Sequence, residues 1–373
     1  MSDKEGRKDR ISFLILIIVD EFQSVSSGDL NHGNALQGGL CVGWPVNLNG
    51  ERRRIIGMCP HPLSSLELKN FGPFSAARVD FAPGLNLLLG GNATGKTYVL
   101  KAAYALTKSL RDGASQPAER LPTVLTDKLV GTYQPGSLGR LVHRAPYPTE
   151  AGMTATYADL VDALSLSFAS RGTAAVDVAS APAAQEIGGP HYFGAPEALT
   201  QTGGDDTWSD LRQMLARPVR EGGPVGPEQQ LAPAFDVVLH GGSIVDKDGG
   251  FYLEQLGVGV IEPGLMSDSQ RTFGMLQRVL ANGTLKPGGY IFWDNPDAGL
   301  DAAAQNALAQ ILAVLIHADI QVFVATHNHT FADTLARLAC EVETEPRFIT
   351  LKRDTTHAAA LADISVESSS GEA

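Results

Sequence analysis

The stretch "GLNLLLGGNATGKTYVLKAAYAL", residues 84–106, limits the folds open to this chain more than any other. Leu85 to Leu89 reads as a buried strand, and Leu100, Ala103 and Tyr104 further on recur at helical spacing. Between them Gly90, Gly91, Asn92, Ala93, Thr94, Gly95, Lys96 and Thr97 fit the pattern GxxxxGK(S/T). Strand, glycine-rich turn and helix in that order are what a phosphate loop requires. Glycines let successive backbone N–H groups turn inward around phosphate oxygens, and the helix N-terminus adds its dipole. A lysine at 96 reaches the β- and γ-phosphates, while a hydroxyl at 97 can ligate Mg²⁺. A chance glycine-rich turn would match the pattern but not its context.

A second stretch complements the first. In "GYIFWDNPDAGLD" four apolar residues lead to Asp294, and such a strand would deliver that carboxylate to the C-terminal edge of the sheet, beside Thr97. Taken alone, the pattern also describes a strand followed by an Asx turn. Beyond about residue 236 the periodicity predicts strands at "FDVVLHGG" and "FYLEQL", a helix from about Asp268 and a strand over 290–294. A helix over about 302–317 and a strand over 320–325 follow. Strands alternating with helices imply an α/β fold with a mostly parallel sheet.

The rest of the chain is read more coarsely. Residues 20–60 are rich in Gly, Ser and Asn without a clear period, so 1–61 is expected to be a loosely attached extension, or the product of an over-long start at Met1 rather than Met58. Within it, Ile11 to Val19 is a near-continuous apolar run, too short for the roughly 20 residues a membrane span needs, and reads as a buried strand or, less readily, a signal peptide. Residues 140–235 hold Ala, Gly and Pro clusters and little period. Cys41, Cys59 and Cys340 have neither disulfide nor zinc spacing, which fits a reducing cytoplasmic compartment without a membrane. With 29 Lys and Arg against 41 Asp and Glu, the net charge of −12 repels a polyanion, so DNA contact is expected to be weak or local, as at Arg52 to Arg54.

The run "LSSLELKNFGPFSAARVDFAPGLNLLLGGNATGKT" resembles the opening of ABC-type ATPases related to SMC and RecF proteins. "MSDSQRTFGMLQRVLANGTL" is similar to their signature segment, "WDNPDAGLD" to their Walker B and D-loop, and "VFVATHNH" to their switch-histidine strand. Without a coiled-coil arm, the chain most resembles compact bacterial AAA-family ATPases of the AbiEii-toxin or OLD-like type. The resemblance implies a P-loop NTPase head over 62–357 with a reduced lid at about 135–235 and a C-terminal tail at 358–373. It implies ATP and Mg²⁺ as ligands, an ATP-dependent homodimer in which Ser267 and Gln270 meet the partner's nucleotide, and room for an effector protein as a further partner. Asp294 would organise Mg²⁺ with Thr97 and Gln134, and His327, 33 residues later, would sense the γ-phosphate. The signature, D-loop and histidine elements argue against the further alternative, a small-molecule kinase.

Several residues leave more than one reading open. Ser267 is equally an ordinary helix N-cap, as is Asp301, the D-loop acid. His327 alone could be a loop residue, and Gln134, before Pro135, a surface turn. Met266 to Gln270 keeps Ser and Gln of the family's LSGGQ but loses both glycines. Asn295 stands where the family usually carries Glu. An Asn carbonyl can orient a water but cannot take its proton, which separates a slow ATPase from an ATP-held switch. Asp297, two residues on, is the available substitute carboxylate.

Overall fold

A computed structural model describes residues 61–172, 174–182, 187–194, 204–220, 227–247, 249–353 and 364–370. The expected extension 1–61, its apolar strand, Arg52 to Arg54, Cys41 and Cys59 lie outside the described residues, apart from His61.

The chain begins with a hairpin, β1 (Leu63–Phe71) and β2 (Phe74–Asp80), closed by a two-residue turn. β3 (Leu85–Leu89) runs into the glycine-rich loop and helix α1 (Lys96–Gly113), followed by α2 (Leu121–Tyr133). β4 (Glu150–Tyr157), β5 (Leu164–Ala169) and β6 (Asp177–Ser180) then return to the hairpin, completing a five-stranded antiparallel sheet in the order β2-β1-β4-β5-β6. β4 and β5 alternate buried with less buried residues along their length, as one-sided packing requires.

β7 (Pro190–Phe193) starts the second half, which continues through α3 (Asp206–Leu215), α4 (Pro227–Leu239) and the meander β8 (Ser243–Lys247), β9 (Gly250–Gln255) and β10 (Gly259–Ile261). Helix α5 (Asp268–Ala281) leads to β11 (Tyr290–Asp294), α6 (Ala302–His317), β12 (Gln321–Thr326), α7 (His329–Glu341), β13 (Arg347–Arg353) and β14 (Ile364–Ser370). The central six-stranded sheet has the order β14-β13-β3-β12-β11-β7, and only the β13–β14 pairing is antiparallel. All of β3 and β12 is buried, the mark of parallel strands covered on both faces.

Side chains alternate between two cores. Tyr290, Phe292 and Phe323 join the cluster formed with α1 and the antiparallel sheet, while Ile291, Trp293, Val322 and Val324 join the cluster under α3 to α7. Gln321 ties the two sheets together at the start of β12. Its Oε1 accepts from the Leu63 N–H at 2.9 Å, and its Nε2 donates to the Leu63 and Ala82 carbonyls, each at 2.8 Å. On the other side Arg278 of α5 donates to the carbonyls of Leu215, Ile244 and Arg217, binding α5 to the end of α3. The other end of α3 is held to α1 and α2, where Lys101 pairs with Asp205 and Lys128 with Asp206 and Asp210.

Three expectations are corrected. "FDVVL" is helical, because Leu231, Phe235, Val238 and Leu239 fall on one helix face and all are buried. Residues 135–235 are not simply a lid: β4 to β6 complete the antiparallel sheet and β7 pairs with β11 in the central one. The tail 358–373 contributes β14, seven residues registered against β13, so the sheet extends through Ser370.

His191 on β7 makes stability depend on pH. Burial, with Arg111, Arg217 and Lys108 nearby, pushes its imidazole down to about 3. Below the ordinary histidine range the unfolded chain binds a proton that the folded chain refuses, so this contribution is full above about pH 6.5 and declines as pH falls towards 3. Urea denaturation at pH 7.0 and 5.5 should show wild type losing about 1 kcal/mol more than His191→Gln over that interval. Equal losses would refute it.

Candidate functional site

The site is built on the C-terminal ends of β3, β11 and β12, which the parallel register brings side by side. Gly90 leaves β3 with φ of 148°, and a Cβ there would stand 2.5 Å from the Leu351 carbonyl oxygen and 2.8 Å from Thr94 Oγ1, so only glycine fits. Ala93 turns through φ of 59°, and Thr94 Oγ1 donates to the Gly91 carbonyl at 2.9 Å. Lys96 folds back over the loop, its Nζ donating to the carbonyls of Gly90 at 2.7 Å and Gly91 at 2.8 Å. Helix α1 has Gly95 as its N-cap, no side-chain cap bond and no acid in its first turn. Its leading N–H groups are therefore left for an anion.

Asp294 ends β11 against this loop. Its Oδ2 accepts from Thr97 Oγ1 at 2.7 Å and from the Tyr192 hydroxyl at 3.5 Å, and its Oδ1 accepts from Asn295 Nδ2 at 3.2 Å. Burial raises its pKa, opposed by the Thr97 hydrogen bond and by Lys96, Lys101 and Tyr192. Burial likewise lowers the Lys96 pKa, opposed by Asp294. The two charges thus stabilise one another where each is partly desolvated. Burial and Asp294 push the Tyr192 phenol well above its ordinary value, keeping it a donor.

The adjoining loop fixes the remaining acids. Asn295 is exposed and left-handed, with φ of 48°, and its N–H donates to the Ala325 carbonyl at 2.8 Å. Asn tolerates that backbone far better than most residues, and its amide is turned back onto Asp294. Asp297 is 6% exposed and accepts from Thr326 Oγ1 at 2.7 Å, so the substitute carboxylate considered from the sequence is tied down. Asp301 caps α6 by accepting from the Ala304 N–H at 2.8 Å.

His327 is exposed and lines a cleft of about 400 Å³ with Gly90, Gly91 and Thr94. His329, Lys352 and Arg353 share that cleft. Ser267 caps α5 in a reciprocal box, its Oγ accepting from the Gln270 N–H at 3.2 Å and Gln270 Oε1 accepting from the Ser267 N–H at 3.0 Å. Asp268 is paired with Arg271 at 2.9 Å, which offsets its charge, and its Cβ would stand 3.0 Å from a Cβ placed on Gly299. The head of α5 and the loop after β11 therefore touch. Gln134 ends α2 at φ of 47° and donates to the Gly204 carbonyl at 3.0 Å, away from the Thr97–Asp294 pair in its bonding.

Tyr192 and Lys101 escaped the sequence reading. The first lies in the weakly patterned middle of the chain; the second stands one helical turn after Thr97, a spacing that could have flagged it. Among the described residues no group of three or more His, Cys, Asp or Glu could hold a metal by itself. The Thr97 and Asp294 oxygens nevertheless fit Mg²⁺, which takes one or two protein oxygens and completes its shell with phosphate and water.

A family model described as an AAA domain matches residues 65–128. The DNA replication and repair protein RecF of Lactococcus lactis subsp. lactis (strain IL1403) is 49% identical over 51 residues, 13% of this chain and 14% of that protein. RecF of Oenococcus oeni (strain ATCC BAA-331 / PSU-1) is 46% identical over 52 residues, with the same coverage. The matched segment thus spans about a seventh of these relatives. Among solved structures, an SMC head bound to the C-terminal winged-helix domain of ScpA aligns at TM-score 0.51 and 15% identity over 83% of this chain and 98% of that one. The chain has an ABC/SMC-like P-loop fold. A Pyrococcus furiosus SMC head with an extended coiled coil, bound to the C-terminal domain of ScpA, aligns at TM-score 0.50 and 14% identity over 83% and 96%. Among the described residues no helix is long and apolar enough to cross a membrane.

Lys96 carries the cation of the loop, so calorimetry should show Lys96→Ala weakening MgATP binding by at least roughly tenfold, the scale of a lost charge-assisted hydrogen bond. Unchanged affinity would remove the phosphate-loop assignment.

Proposed function

We propose that the chain binds ATP with Mg²⁺ at Gly90–Thr97 and Asp294, hydrolyses it slowly, and is brought by ATP into a head-to-tail homodimer. The observation that carries this reading is the Thr97–Asp294 pair at 2.7 Å, directly beside a loop closed by Lys96. Lys96 exchanges the Gly90 and Gly91 carbonyls for the β- and γ-phosphates, and the N–H groups of the loop accommodate their charge. Mg²⁺, held by Thr97 and Asp294, would neutralise charge developing on the transferred phosphoryl group. His327 faces the loop across the cleft and reaches the terminal phosphate as a hydrogen-bond partner. Gln134 would join only if its bond to Gly204 is exchanged. Ser267 and Gln270, at the exposed start of α5, would meet the partner's nucleotide once their reciprocal cap opens or turns outward.

The slow step follows from Asn295. Its amide can orient the attacking water, but neither it nor the engaged Asp297 offers a free carboxylate to take the proton. Positioning supplies much of phosphoryl-transfer catalysis, so turnover persists at a reduced rate. The same observation supports a second reading, in which ATP holds a dimer or a partner complex as a switch and turnover is incidental. In either case the likeness to RecF and SMC heads supports work in DNA maintenance, and the compact AAA type supports anti-phage defence with an effector protein. Direct DNA binding by a chain of net charge −12 stays weak at physiological salt.

Steady-state ATPase assays and light scattering with ATP test this. Asn295→Glu should raise turnover by roughly 10²-fold, less the strain of a left-handed Glu of about 1 kcal/mol, and should shorten the life of the dimer. Asp294→Asn should lower turnover, and Ser267→Arg should block dimerisation while ATP still binds. A wild type that turns over as fast as Asn295→Glu would remove the assignment of Asn295 as the weakened catalytic position. An ATP-bound wild type that stays monomeric would remove the dimer.

A further inference from the structure

We propose that Tyr98 is the platform on which the base of the bound nucleotide stacks, an inference that rests on nucleotide binding at the phosphate loop. Lys96 and Thr97 serve the β/γ-phosphate end and the metal. On this proposal the ribose and base leave the loop beside the next residue in the first turn of α1. Tyr98 occupies that place. The neighbouring Val99 and Leu100 are fully buried, but Tyr98 remains 37% exposed.

The protein holds this ring in position. At the tip of the β1–β2 hairpin Gly72 has φ of 53°, and a Cβ there would come within 2.6 Å of Tyr98 Cδ1 and Cε1. The bare glycine is what admits the ring. Phe71 meets it edge-on at 6.3 Å between centroids, and Tyr133 lies against it at 5.3 Å with an interplanar angle of 34°. The Tyr133 hydroxyl also donates to the Tyr98 carbonyl at 2.6 Å, tying α2 to the same turn. An aromatic side chain fixed by three neighbours yet open to solvent has already lost the freedom that stacking would cost it. Every nucleobase presents a π-face, so the platform accepts any base and takes no part in choosing between purines.

Calorimetric titration of the full chain with ATP, GTP and inorganic tripolyphosphate separates base from phosphate. Tyr98→Ala should weaken ATP and GTP by roughly tenfold or more and leave tripolyphosphate unchanged, while Tyr98→Phe should bind all three as wild type does. Gly72→Ala, which crowds the ring, should show the same selective loss. Retention of tripolyphosphate binding verifies that each variant is folded. The proposal is overturned if Tyr98→Ala binds ATP as tightly as wild type, or loses ATP and tripolyphosphate in equal proportion. Wild type that binds tripolyphosphate as tightly as ATP overturns the platform alone, whereas wild type that binds neither overturns the phosphate-loop reading and the platform with it.

Discussion

A hydrogen bond of 2.7 Å joins Thr97 to Asp294 across 197 residues of sequence, and the site depends on that closure. It holds only because β3, β12 and β11 run parallel in adjoining register, so the loop after β3 and the carboxylate ending β11 come out at one edge. Desolvation penalises the ionised Asp294 and the protonated Lys96 alike, and each opposes the penalty on the other. Removing either would leave a partly buried charge without its nearest opposite, which is far costlier than removing an exposed ion pair.

From this edge a continuous set of contacts leads to α5. Lys101, one turn beyond Thr97, pairs with Asp205 at the start of α3, and Arg278 holds the far end of α3 to α5. Gly299 then packs beside Asp268 at the head of α5, returning to the loop after Asp294. The ring of contacts passes through α1, α3, α5 and the loop after β11. The contacts thus run unbroken from α1 to the surface that carries Ser267.

What could be read from the sequence was what local chemistry determines. The strand, loop and helix around Gly90–Thr97 are specified by neighbouring residues, and so are the strand ending at Asp294 and the caps at Ser267 and Asp301. The middle resisted reading because its strands are defined by distant partners. β4 pairs with β1 about 90 residues earlier, and β7 pairs with β11 about 100 residues later. "FDVVL" shows the ambiguity of a short apolar run: its helical identity emerges only when Leu231, one turn upstream, is counted on the same face. The state of Asn295 was also illegible. Its identity was plain, but its left-handed backbone and its bond to Asp294 depend on the turn and on Ala325 of the neighbouring strand.

The alternation along β11 bears on how the molecule comes apart. Tyr290 and Phe292 belong to one core and Ile291 and Trp293 to the other, on a strand of five residues. The two cores lie on opposite faces of one central sheet, so neither can melt without uncovering strands the other packs on, and Gln321 binds the antiparallel sheet to the same β12 that both cores share. The two halves, different as they are in secondary structure, are expected to unfold as one cooperative unit. Damage in the helical half, remote from any phosphate, reaches the loop at Gly90 as lost global stability, with no local change there.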